Sequence, residues 1–259
     1  MSRAASLVLA AWGLGFLAGC SDAPIMQLRP TNRVVLAEIF TWMRCGYCPY
    51  AARALDSVAA DFPDSMVVVA YHRRVAGDTL SPPYSETRMG VYYSSGGEPA
   101  TSFDGGNVVR TSGPSDNYPT FHAMALAAKN VVPEAQLSVS ATADDSSGTV
   151  TVRATGVTAT PTDTLRLFVV LTEDSVRAYL SGETDSVFRH LMRQMLPGVD
   201  GDSVNLTAGD TVVKEYDFQV QPFWNRSRLG VVAFVQDIET REVLQTAYLN
   251  NIETKEKLR

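Results

Sequence analysis

The sequence predicts two joined parts, an α/β unit followed by an all-β sandwich, and three observations carry that expectation. An apolar run, Val34-Val35-Leu36-Ala37-Glu38-Ile39-Phe40, leads into Cys45-Gly46-Tyr47-Cys48-Pro49 and then into a stretch of helix formers. A second β-branched run, Ser65 to Tyr71, follows, so a helix joins two strands that must lie parallel. From Ala135 the texture changes to alternating strands separated by Thr, Ser, Asp and Gly turns, the pattern of an antiparallel sandwich.

In order along the chain, Val34 to Phe40 reads as a buried strand interrupted only by Glu38. Ala51 to Ala60 reads as a helix opening at the cysteines, with Leu55, Val58 and Ala59 at helical spacing and a stop at Asp61-Phe62-Pro63-Asp64. Ser85 to Tyr93 is a second helix. Gly96 to Gly106 reads as a turn, a short strand and a tight Asp104-Gly105 turn, with Val108-Val109-Arg110 as the returning strand. Tyr118 to Lys129 is a helix with Phe121, Met124, Ala125 and Ala128 on one face. Val131-Val132-Pro133-Glu134 is the boundary, giving parts at 34–132 and 133–252. Between the third and fourth sandwich strands, Val187 to Gly198 reads as a short helix or an extended crossover.

With 45% hydrophobic residues in 259, the chain can bury one large core or two moderate ones. The net charge of -6, with acids and bases interspersed, provides no basic face for tracking phosphates, so nucleic acid is not an expected partner.

The first nineteen residues read as an export signal: Arg3 precedes an apolar run, Leu7 to Leu17, too short to span a membrane comfortably. Leu17-Ala18-Gly19-Cys20 resembles the bacterial lipobox, which implies lipid attachment at Cys20, a tether over 20–33 and a protein held to a membrane. More than one acyl chain, at about 0.8 kcal/mol per buried methylene, anchors stably. Ser21 after the lipidated position favours the outer membrane.

Export places the remaining cysteines in oxidising surroundings. Cys45 and Cys48 can be a redox couple, half of a zinc site or an inert staple. No second CxxC completes a four-cysteine site, and His72, His122 and His190 lack the close spacing of a zinc finger, so no metal is expected. Asp200-Gly201-Asp202 lacks a calcium-loop spacing and reads as a solvated turn. No cofactor motif is present.

A strand leading into CxxC, with the second cysteine carried into a helix and Glu98-Pro99 preceding a later strand, resembles the thioredoxin fold over about residues 34 to 130. The resemblance implies a thioredoxin-like α/β domain before an immunoglobulin-like sandwich. It implies that Pro99 is cis and lies against the cysteine pair, and that Glu98 touches substrate. The helix N-terminus and nearby Arg44 favour a thiolate. A free cysteine pKa near 8.5 falls to about 3.5–7.5 in such settings. Cys45 would be the attacking, more exposed sulfur and Cys48 the resolving one. Gly46-Tyr47 resembles the dipeptide of periplasmic disulfide isomerases. Thioredoxins carry a buried acid six residues before the first cysteine; here that position is Ile39. Its neighbour Glu38 either serves in a shifted strand or is an acid satisfied by backbone or arginine.

Glu38, Phe40, Thr41, Cys45, Cys48 and Pro49, with Arg193 to Gly201 and Val231 to Asn251, also resemble a Bacteroidetes lipoprotein family named for a twenty-eight-kilodalton outer-membrane protein. The expected function is a lipid-anchored thiol–disulfide oxidoreductase or isomerase whose partners are extracytoplasmic protein thiols or disulfides. The alternative is a surface binding or adhesion lipoprotein with a structural disulfide. Phe223, Trp224 and Tyr216 are expected in the sandwich core or rim, and His190 and Arg193 against the α/β part.

Overall fold

The computed structural model describes residues 32–254 apart from 76, 94–95, 112, 159–162 and 180–186. The expected export signal, Cys20 and the tether up to residue 31 lie outside the described residues.

Strand β1 (Val35–Thr41), helix α1 (Cys48–Asp61) and strand β2 (Met66–His72) form the expected parallel βαβ unit, in register from Val35 opposite Met66 to Thr41 opposite His72. Both strands are buried along their whole length, as their largely apolar runs require. Alternation sorts the faces. Val35, Ala37 and Ile39 pack on Ala51, Leu55 and Val58 of α1, whereas Leu36 and Phe40 face the other way. Pro49 sits in the first turn of α1 without loss, because a first-turn residue has no intrahelical acceptor for an N–H.

Helix α2 is Tyr84–Tyr92, one residue earlier than expected. Strand β3 (Ala100–Phe103) pairs antiparallel with β1. Asp104 and Gly105 both take positive φ, 45° and 79°, as the tight turn needs. The expected return strand shrinks to one bridge, Thr101 to Val109, leaving Val108 and Arg110 in loop. Helix α3 is Pro114–Lys129, starting before Tyr118 because Gly113 and Pro114 open it; Phe121 and Ala125 are its buried residues against α1 and β3.

The second half supplies β4 (Ala135–Ala143), β5 (Ser147–Gly156), β6 (Leu165–Glu173), β7 (Val176–Arg177), β8 (Val187–Phe188), β9 (Leu191–Leu196), β10 (Asp202–Ser203), β11 (Thr211–Gln219), β12 (Leu229–Asp237), β13 (Val243–Leu249) and β14 (Glu253–Thr254). One sheet runs β11-β5-β4-β14. Its inward residues, among them Val150, Val152 and Phe218, pack against Leu167, Val169, Val231 and Ala233 of the facing sheet, making the sandwich core.

That facing sheet does not stop at the sandwich. Its order is β13-β12-β6-β9-β2-β1-β3, with β10 paired to β6, so β9 joins the two halves. Ala70 of β2 lies opposite Leu191, and its N–H donates to the His190 carbonyl over 2.8 Å. The segment 187–198 is therefore extended, its β8–β9 arm reaching across to α1. On the face away from the sandwich core, Phe40, Tyr71, Phe168, Met195 and Phe234 form a shared core that α2 covers.

The two edges of this long sheet meet. Val243 N–H donates to the Asp104 carbonyl at 3.2 Å. Arg33 donates to the carbonyls of Leu244 and Val243 at 2.5 and 2.6 Å and to the Asp104 carboxylate at 2.7 and 3.1 Å. Arg33, placed at the end of the tether by sequence, is thus buried, because its guanidinium is the hub of this junction.

Candidate functional site

Cys45 sits in a turn closed by its own N–H on the Trp42 carbonyl, and Cys48 is the first residue of α1. The two form a disulfide. Cys48 N–H donates to Cys45 Sγ at 3.0 Å, the contact a thiolate would receive from an unpaired first-turn amide. Cys45 and Cys48 are both buried, at 4% and 3% exposed. Tyr47 and Tyr50 stand outward instead, the Arg53 guanidinium 5.0 Å over the Tyr50 ring.

The Glu98–Pro99 bond is cis, and the Glu98 carbonyl oxygen lies 3.6 Å from Cys45 Sγ. The Glu98 side chain is buried, receiving Arg73 Nη1 at 2.9 Å and the Tyr93 hydroxyl at 3.1 Å. Burial and then this carboxylate push the Tyr93 phenol well above its ordinary value. Burial alone would lower Arg73, but Glu98, with Glu86 and Tyr93, outweighs it and holds the guanidinium charged. Arg110 stacks 4.5 Å over Tyr93 and donates from Nε to the Gly97 carbonyl at 3.0 Å. The loop carrying Pro99 is thereby held from three sides.

Glu38 serves the ion-pair role. It points away from the cysteines, into the shared core, where Arg88 Nε and Nη2 donate to its two oxygens at 2.8 Å each and the Tyr92 hydroxyl adds a short bond. Arg88 Nη1 donates to Gln236 Oε1 at 2.8 Å. Burial opposes the charge on Arg88, and Glu38 together with Tyr92 and Tyr71 more than restores it. Ile39, on the cysteine side, lines a cavity beneath Cys48.

On that side sequence reasoning missed a buried pair, His72 with Nδ1 2.8 Å from Asp78 Oδ2. Nothing in a single sequence marks them, since each is one polar residue near a turn. His190 reaches Asp56 of α1 at 2.8 Å, and Arg189 reaches it at 3.4 Å, so this end of the arm does pack on the α/β half. Arg193 pairs with Glu173 at 2.8 Å inside the sandwich half and lines a cavity with Leu80 and Tyr84 of the α/β half. Tyr216 is buried with its hydroxyl on Asp202, and Trp224 packs at the core edge, but Phe223 is 71% exposed. Among the described residues, no three His, Cys, Asp or Glu side chains gather as a metal would need.

The fold is similar to that of solved proteins. HBP35 of Porphyromonas gingivalis matches with a TM-score of 0.72 at 16% identity, covering 86% of this chain and 77% of that one. An Agrobacterium tumefaciens protein matches with a TM-score of 0.56 at 15% identity, covering 87% and 98%. No curated protein matches the chain. The family model described as outer membrane protein Omp28 matches residues 92–251, a stretch that begins after both site cysteines. The chain belongs to the Omp28 family of outer membrane proteins, and its place is the cell envelope.

Proposed function

We propose that this protein is a thiol–disulfide oxidoreductase or isomerase of the envelope, anchored through lipid on Cys20, that exchanges disulfides with extracytoplasmic proteins through Cys45 and Cys48. The carrying observation is the Cys48 N–H on Cys45 Sγ at 3.0 Å, at the start of α1 and beside the Glu98 carbonyl and Pro99. An amide and a helix N-terminus aimed at one sulfur favour its ionised form, and only the thiolate attacks a disulfide. In this reading, residues 34–132 are a thioredoxin-like domain and 133–252 an immunoglobulin-like sandwich that positions it or binds a partner. Each half has a core of its own, which supports that division, while a third core along the common sheet belongs to both.

The burial of both cysteines favours a second reading, a binding lipoprotein whose disulfide is structural. Thiol trapping separates the two. Cys48→Ser should accumulate mixed disulfides through Cys45, and the reduced protein should present one sulfur that alkylates at a pH below the ordinary thiol range. A pair that stays oxidised in millimolar glutathione, with no trapped partner, overturns the exchanger.

A further inference from the structure

We infer that His72 is the proton acceptor for Cys48 when the protein disulfide forms, with Asp78 as the residue that positions it. The inference rests on the exchanger reading above. Cys48 is buried against apolar side chains, where a thiol resists ionisation, yet it must lose its proton to resolve a mixed disulfide. Ile39, which lines the cavity with Cys48, is apolar, and Glu38 is committed to Arg88 on the opposite face, so neither takes that proton.

A cavity between α1, β2 and the β8–β9 arm is lined by Cys48, Ile39, His72 and Phe188. The side chains of His72 and Asp78 are 2% and 1% exposed. The Asp78 carboxylate accepts the Met43 N–H at 2.9 Å and the Leu80 N–H at 2.8 Å, and meets His72 Nδ1 at 2.8 Å. Both Asp78 oxygens accept from backbone amides, so toward His72 the carboxylate is again the acceptor and the ring hydrogen sits on Nδ1. Nε2 is then the lone-pair nitrogen of a ring that shares the cavity with Cys48, held edge-on to Phe188 at 5.2 Å between centroids. The other charged or titratable groups on this cavity are Arg53 and Asp56 from α1 and Arg189 and His190 from the arm; Asp56 is already engaged by the last two.

The Cys45 thiolate attacks a substrate disulfide, forming a Cys45–S–S–R bond and releasing the other substrate sulfur as thiolate. The Cys48 thiol gives its proton to His72 Nε2 while its sulfur attacks Cys45 Sγ. The Cys45–Cys48 bond forms, the bond to R breaks, and RS⁻ leaves. The protein dithiol loses two electrons, the substrate disulfide gains them, and the imidazolium proton passes to a departing thiolate or to water. Substrate oxidation runs in reverse, with the imidazolium protonating Cys48.

The test is stopped-flow reaction of the reduced mature protein, its Cys20 sulfur occupied by lipid, with dithionitrobenzoate. Attack by Cys45 releases one thionitrobenzoate in a second-order phase, and resolution by Cys48 releases another in a first-order phase. His72→Gln should slow the first-order phase by about 10²-fold, the ordinary worth of a positioned base, and leave the second-order phase as it was. In the unaltered protein the first-order phase should also carry a solvent deuterium isotope effect, a readout independent of whether the variant folds. Two phases at wild-type rates in His72→Gln, or no isotope effect in the unaltered protein, overturn the relay. A protein that releases no thionitrobenzoate at all refutes instead the exchanger reading on which it rests.

Discussion

Arg88 and Glu38 face each other across the shared core with two N–H donors on two oxygens, both side chains 1% exposed, and the guanidinium lies 5.0 and 5.1 Å from the rings of Phe168 and Phe234. The pair therefore pins α2 to β1 and to strands from the sandwich half. Removing one partner strands the other charge away from water. Glu38→Ala should cost about 3–5 kcal/mol in chemical denaturation, and Glu38→Ala with Arg88→Met should cost less than the sum of the single changes.

Gly105 is required by geometry. Its φ is +79°, and a Cβ there would stand 1.6 Å from the Arg241 carbonyl oxygen. Gly105→Ala should destabilise by more than about 3 kcal/mol, from left-handed strain and from a backbone clash that cannot be rotated away. Hydrogen exchange should accelerate first at Val243, whose N–H bonds the neighbouring Asp104.

Glu98→Ala removes the carboxylate shared by Arg73 and Tyr93, which hold the loop in front of Cys45. The expected loss is about 2 kcal/mol, the scale for hydrogen bonds to a charged group. Reduction of the disulfide by dithiothreitol should quicken, because the loop no longer screens Cys45; an unchanged rate counts against the clamp.

Asp174 ties the arm to β6 by accepting the Ser175 hydroxyl at 2.9 Å and the His190 N–H at 3.3 Å. Burial would raise its carboxyl, but the Ser175 hydroxyl and then the His190 and Arg189 charges hold it below the ordinary 3.8. A depressed carboxyl contributes stability that is present above its unfolded value and is lost as pH falls through the folded one. Thermal unfolding of the wild type should therefore weaken below about pH 3.8 more steeply than that of Asp174→Asn.

Much of this was legible locally. The runs Val34 to Phe40 and Ser65 to Tyr71 could bury both faces only in a covered parallel sheet, and the alternation from Ala135 onward announced a sandwich. The CxxC before a helix and Pro99 before a strand placed the site. What stayed hidden were choices made between distant segments. Nothing in Leu191 says that it lies opposite Ala70, because a strand edge accepts any backbone. Arg33 reads as tether until its acceptors, the carbonyls of Val243 and Leu244, are present in space. The inward turn of Glu98 depends on Arg73 and Tyr93 arriving from two other elements. Ambiguity at Glu38 had the same origin, since its partner lies on α2.

The splice of β9 onto β2 makes the molecule a single mechanical piece. Scission near Val132 would not free two modules; each fragment would carry a raw strand margin and half of an oily concavity. Melting should accordingly show one transition, and strain applied at either end of the chain should reach the sulfur pair through backbone rather than through a hinge.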